Sequence, residues 1–396
     1  MNICTLFLLF LLARAGSEVL VSDSDVGGFP SYKVLYTFKG ATDGGGPIAP
    51  PLLARDGFLY GTASGGGMGG LGTIYRVKDN LFERLISFNG DNGAKPFQGL
   101  VEGEDGNLYG TTEFGGDHGR GTLYSLNPQT KKLTVIHHFA GGVLDGARGT
   151  ALISPDHDLF IGATGNGGAG DNGTLFTLDH SGNVSTIPST PIGYPVSLTR
   201  VSKTVYGTSL YGANNFGSLF SLGEDMTVQT LFNFTSCNVT EPGGTGCNPV
   251  NVVHITQQPE LLFGTTVNSH GSGGKDVTGI FAFNLTDHSY RLTHNFTFPA
   301  GYKSFGVSAG VDGAIYWVTS TDQQFDNMIW KFEHAGTAQE KSCIVHDFDT
   351  SLGTHPRSSP LELTPGVLYG TTYGGGGPAN AGVIYQLALN NFHCPG

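Results

Sequence analysis

The sequence predicts an all-β protein, a single seven-bladed β-propeller of four-stranded blades. Three observations carry this. Glycine occupies 63 of 396 positions and charged residues only 13%, against roughly 7% and 25% in average proteins. Aromatics are abundant, with 26 Phe, 15 Tyr and 2 Trp. One short phrase, Leu-Tyr-Gly-Thr, recurs along the chain at a period of about fifty residues. Such a composition fits short aromatic-rich strands joined by glycine turns, and it excludes coiled coils, helical bundles and charged disordered tails. The glycines follow no three-residue period, which excludes collagen.

The phrase appears as Leu59-Tyr60-Gly61-Thr62, Leu108-Tyr109-Gly110-Thr111, a stretched Leu159-Phe160-Ile161-Gly162, Val205-Tyr206-Gly207-Thr208, Leu262-Phe263-Gly264-Thr265, a degenerate Ile315-Tyr316-Trp317-Val318 and Leu368-Tyr369-Gly370-Thr371. From Gly61 to Gly370 is 309 residues over six steps, a mean of 51.5. A second phrase follows each copy across a glycine-rich loop, as in Gly72-Thr73-Ile74-Tyr75 and Gly121-Thr122-Leu123-Tyr124. A third is a strand ending in Phe38, Phe88, Phe139, Phe234, Phe296 or Phe348, and the copy near Val184 lacks its Phe. A fourth is a short apolar strand before the first phrase, such as Leu52-Leu53, with Asp56-Gly57 as its hairpin turn. Four strands in about fifty residues is the size of a propeller blade, near the kelch length; an open solenoid of similar sheets is the alternative. The chain ends favour a ring. Residues 32–38 form a Phe-ended strand standing before the first unit, and the last unit, after 382–387, lacks one. Pairing the two closes the ring and removes two exposed edges.

Together the phrases read Phe-x-Gly, Asp-Gly, Leu-Tyr-Gly-Thr-Thr, Gly-Gly, Gly-Thr-x-Tyr, and this pattern resembles the extracellular GloVer (Gloeo/Verruco) repeat. The resemblance covers roughly 32–388, is best over 86–126 and is eroded in blades four to six. It implies a secreted or surface propeller and brings no catalytic residues with it.

The boundaries follow. An apolar stretch from Ile3 to Leu12 before Ala13-Arg14-Ala15 reads as a signal peptide over 1–15. A lead over 16–31, the propeller over 32–390 and a tail over 391–396 complete the chain. The net charge of -12 becomes -13 once Arg14 leaves with the signal. Four cysteines then remain, an even number suited to an oxidising compartment. Cys237 with Cys247 staples a Pro-Gly-Gly loop, and Cys343 with Cys394 ties down the C-terminus; no Cys-x-x-Cys spacing supports zinc instead. Six sequons, Asn172, Asn183, Asn233, Asn238, Asn284 and Asn295, are candidate glycan sites in a eukaryotic secreted protein.

Function is less legible. The loops between the second and third strands (63–71, 113–120, 165–172, 210–216, 267–278, 322–327 and 373–381) share one end of a propeller with the entries into each first strand. Four entries carry a base: Lys95, Arg148, Lys303 and Arg357. Four cations at one repeat position suggest a cationic ring suited to a carboxylate, phosphate or acidic sugar. Alternatively they are inherited with the repeat and neutralised by neighbours such as Asp91 and Asp145. Acid–base candidates on the same end are His118, Asp117 and Glu113, with His270, His355, Asp276 and Asp326 further round. His137, His138, His294 and His346 fall on outer strands. No Gly-x-Ser-x-Gly, His-Glu-x-x-His, P-loop or EF-hand pattern occurs. The reading is a monomeric secreted binder of an extracellular glycan or protein, without cofactor or metal. The alternative is a lyase or glycosidase acting on acidic polysaccharide. The dispersed basic residues exclude a nucleic-acid-binding face, and no apolar run after residue 15 is long enough to span a bilayer.

Overall fold

The computed structural model describes residues 28–156, 159–187, 192–212, 214–237, 244–271, 275–299, 302–321 and 327–395; the side chains of 155–156, 268–271, 275–276, 297–299, 302–304 and 321 are not described. The expected segments 1–15 and most of 16–31 lie outside these residues, as does the sequon at Asn238.

Seven antiparallel four-stranded sheets follow one another in sequence. Blade 1 is Leu52–Leu53, Leu59–Ala63, Thr73–Lys78 and Leu81–Ser87, and blade 2 runs from Val101–Glu102 to Lys132–His138. Blade 3 spans 146–187, blade 4 spans 195–233, blade 5 spans 249–299 and blade 6 spans 302–348. Blade 7 takes Leu361–Thr364, Val367–Thr372 and Val383–Ala388 from the C-terminal end and Ser31–Thr37 as its outermost strand. Register runs from Ser31 opposite Ala388 to Thr37 opposite Val383, so the ring closes as the sequence predicts. First strands of neighbouring blades pack against each other and line the axis. The one helical element among the described residues is a single 3-10 turn, Ala169–Asp171.

The repeated phrases are the parts of a blade-to-blade interlock. Gly61 pairs in register with Tyr75 of the next strand. A Cβ on Gly61 would lie 2.3 Å from the Tyr75 hydroxyl, so the glycine leaves the slot in which the ring lies flat on the sheet. Phe38, closing the previous blade, then meets Tyr75 edge-on. The same contact recurs as Phe88 on Tyr124, Phe139 on Phe176, Phe234 on Phe281 and Phe348 on Tyr385, at centroid separations of 5.2 to 5.5 Å. Edge-to-face aromatic pairs add stability beyond the area they bury, and here each one joins two blades. In blade 6, Trp317 fills the glycine position opposite Trp330. Phe296 accordingly packs on Trp317, at 4.6 Å.

Two expectations need correcting in detail. The loop expected over 267–278 is largely paired strand, since pairing in blade 5 continues to Gly271 opposite Lys275. The entries expected before the first strands of blades 3 and 6 are themselves strand, Gly146–Asp156 and Tyr302–Ala309. In these places cross-strand hydrogen bonds extend the hairpin beyond what apolar alternation marks. Both cysteine pairs form as expected, Cys237 with Cys247 and Cys343 with Cys394.

Candidate ligand site at the channel mouth

The entries into the first strands and the loops after the second strands meet at one end of the ring. At six of the seven entries one residue adopts a left-handed backbone: Gly46, Lys95, Arg148, Tyr194, Asn248 and His355, with φ between 48° and 61°. This turn aims the N–H back at the preceding blade. Gly46 donates to the Ala381 carbonyl, Lys95 to Leu71, Arg148 to Arg120, Tyr194 to Asn172 and Asn248 to Phe216, at 2.7 to 2.9 Å. A left-handed conformation costs a residue with a Cβ roughly 1–2 kcal/mol, and the inter-blade hydrogen bond offsets part of it. In blade 6 the backbone of Lys303 pairs with Ser320 and Ser304 with Thr319, and in blade 3 Gly149, next to Arg148, pairs with Thr164. The Lys303 side chain lies outside the described residues.

Lys95 and Arg148 thus stand at equivalent positions of adjacent blades. Arg357 does not share their position. His355 takes it, accepting the Tyr373 N–H at 3.0 Å just as Lys95 accepts that of Glu113. The reason is visible in the sequence: in five blades the left-handed residue precedes a proline, Pro47, Pro96, Pro195, Pro249 or Pro356. Aligning on these prolines rather than on the nearest base places His355 correctly. Arg357, two residues on, lays its guanidinium over the Tyr373 ring, 3.7 Å from the centroid.

Blades 2 to 4 hold a coupled cluster. The Arg148 Nη2 lies 3.3 Å from Glu113 Oε1 across the blade seam, and the same guanidinium sits over Phe114 at 4.9 Å. Burial raises the Glu113 carboxyl above its ordinary range, and Arg148 and Lys95 pull it part of the way back. Tyr194 is raised by burial too, opposed by Arg148 and reinforced by Glu113 and Tyr211. Its ring rests on Gly165, where a Cβ would come within 2.5 Å, and meets Tyr211 edge-on at 5.9 Å. Phe114 and Tyr211 are 36% and 48% exposed, so the cations stand beside aromatic faces open to solvent.

The other candidates do not converge on this cluster. Asp117 turns to the outermost strand of its blade, its N–H donated to His138 Nδ1 at 3.0 Å and its carboxylate 3.5 Å away. His118 is exposed at the same loop tip. Asp145 accepts the N–H groups of Ala140 and Gly146 and binds His137 at 3.1 Å. The acid that answers Arg148 is therefore Glu113 of the neighbouring blade rather than Asp145. His294 binds Glu340 at 2.6 Å, and His346 stacks on Tyr32. The His270 and Asp276 side chains and Asp326 lie outside the described residues. Of the sequons, Asn183 and Asn295 are exposed, while Asn172, Asn233 and Asn284 are half-buried. At the opposite end a groove of about 620 Å³ lies between blades 4 and 5, lined by Tyr206, Asp225, Leu231 and His288 among others; it holds no cation–aromatic cluster. Among the described residues no group of three or more His, Cys, Asp or Glu is placed to hold a metal ion, and no helix is long and apolar enough to cross a membrane.

Fold and mouth together define a seven-bladed propeller with a cation-and-aromatic cluster at one channel opening. Residues 23–190, a stretch that takes in the closing strand and the first three blades, match the family model of the Gloeobacter/Verrucomicrobia repeat. No curated protein matches the chain. Among solved structures, an oligogalacturonate lyase from Vibrio parahaemolyticus is similar at 12% identity and a TM-score of 0.54, with 92% of this chain and 98% of that one covered. A puromycin-hydrolyzing peptidase of Mycobacterium tuberculosis gives 11% and 0.50, covering 90% and 55%. TolB from Acinetobacter baumannii gives 15% and 0.39, covering 64% and 54%. The chain spans about half the length of the last two. At these identities the likeness is one of fold.

Proposed function

We propose that this propeller is secreted and binds an anionic extracellular glycan at its channel mouth. The observation that carries this is Arg148, held between Glu113 and the exposed Phe114 ring near Tyr194, with Lys95 acting on the same Glu113 carboxylate. Sugars present apolar faces to aromatic rings, and acidic sugars add a planar carboxylate that a guanidinium matches. Cations gathered at one opening of a body with net charge -12 focus a field that draws such a ligand in. Secretion is supported by the apolar N-terminal stretch Ile3 to Leu12 and by two disulfides, which persist in oxidising compartments.

The test is titration calorimetry with uronate oligomers and with a neutral polysaccharide, at low and high salt. Wild type is expected to bind the uronates, more weakly as salt rises, and a Lys95→Ala, Arg148→Ala double variant to lose that binding. Equal binding by the variant, or no anion binding at all, overturns the reading. Products released from the same oligomers would make the protein an enzyme on acidic polysaccharide instead of a binder.

A further inference from the structure

Going round the mouth from blade 7 to blade 4, cations and aromatic faces alternate. The guanidinium of Arg357 lies on Tyr373. A Cβ on Gly46 would stand 2.7 Å from that ring, so Tyr373 fills the place of the side chain that blade 1 lacks at its entry. Lys95 follows at the entry of blade 2. Arg148 on Phe114 comes next, and Tyr194 with Tyr211 ends the series. More than half of the opening is thus one arc with two stacked guanidinia and a lysine between them.

The two guanidinia differ in what they have free. Arg148 spends one edge on Glu113. Arg357 is half-buried and has no carboxylate within ion-pair reach among the described residues. A guanidinium stacked on a ring uses its face and keeps its in-plane N–H groups for an acceptor. The fork of donors matches a planar carboxylate better than a point cation does.

We propose that the mouth takes a linear acidic homopolymer rather than a single sugar, with successive uronate rings on the aromatic faces of the arc and their carboxylates at Arg357, Lys95 and Arg148. This rests on the mouth being the anion site. Arg357 is then a second binding station, separate from the Lys95–Arg148 pair.

Affinity should therefore grow with ligand length. Binding of uronate monomer, dimer, trimer and tetramer is measured on wild type, Arg357→Ala and Arg357→Lys. In wild type the tetramer is expected to bind on the order of tenfold or more above the monomer, because the second contact is intramolecular once the first has formed. Arg357→Ala should lose that gain, so that its affinities for monomer and tetramer converge; Arg357→Lys, which keeps charge and packing volume but not the fork, should lose most of it. Length-independent binding by wild type, or a length gain that survives in Arg357→Ala, overturns the second station while leaving the mouth as an anion site. Equal affinity for a sulfated oligomer of the same length overturns the carboxylate assignment. No binding at any length overturns both readings.

Discussion

The Arg148 guanidinium and the Glu113 carboxylate lie 3.3 Å apart across the seam between blades 3 and 2. Neither belongs to the other's repeat, and each is half-exposed or less at the rim of the channel. The pair holds the cation in place and also competes with any anion that would use it.

Removing that competitor should strengthen the site. A partly exposed ion pair is worth up to about 1 kcal/mol, so Glu113→Gln is expected to tighten uronate binding by about threefold to fivefold. Calorimetry checks this, and weaker binding in Glu113→Gln would mean that the carboxylate itself contacts the ligand.

The glycine of the repeated phrase should not tolerate a methyl group. Gly61→Ala places a Cβ against the fully buried Tyr75 ring, and overpacking of this kind costs about 1–3 kcal/mol. A lowered denaturation midpoint is expected. An unchanged one would show that the ring shifts freely, which its contacts with Phe38 and Phe82 argue against.

Closure of the ring should depend on pH through His346. Its imidazole stacks on Tyr32 of the closing strand at 4.1 Å, and burial pushes its pKa from 6.5 down to about 4, against a smaller upward pull from Asp349. The folded protein therefore holds fewer protons on this group than the unfolded chain between those values. Its contribution is complete above about pH 6.5 and is lost as pH falls toward 4, amounting to roughly 3 kcal/mol. Urea denaturation from pH 7 to 4 should show this slope, reduced in His346→Phe. A slope identical in the variant would assign the acid sensitivity elsewhere.

The bridge between Cys343 and Cys394 should stabilise more than its own loop. It spans 51 residues of sequence, a separation for which cross-linking contributes on the order of 3–4 kcal/mol. It also fixes the tail, whose Phe392 carbonyl accepts a hydrogen bond from the buried Lys331 at 3.2 Å, alongside Glu333 and Asp312. Cys394→Ser is expected to melt several degrees lower than wild type, and reductant should then have little further effect on this end. Equal melting temperatures would mean that the Lys331 cluster holds the tail unaided.

Blade number, strand count and closure were legible in the sequence because each follows from local pattern repeated at one period. Leu-Tyr-Gly-Thr marks a second strand wherever a ring from the third strand must lie over a glycine, and the unpaired strand 32–38 at one end matches the strand missing at the other. Both cysteine pairs were legible as well: one closes a short loop, which left the other two for each other. The basic entries Lys95 and Arg148 were visible by their repeat position. What they face was not. Glu113, Phe114 and Tyr194 reach Arg148 from two other blades, and Asp117, only four residues from Glu113, turns outward to His138. Spacing along a strand determines which side of a sheet a residue takes, whereas the partner of a residue at the mouth depends on the angle between sheets, and only the closed ring sets that angle.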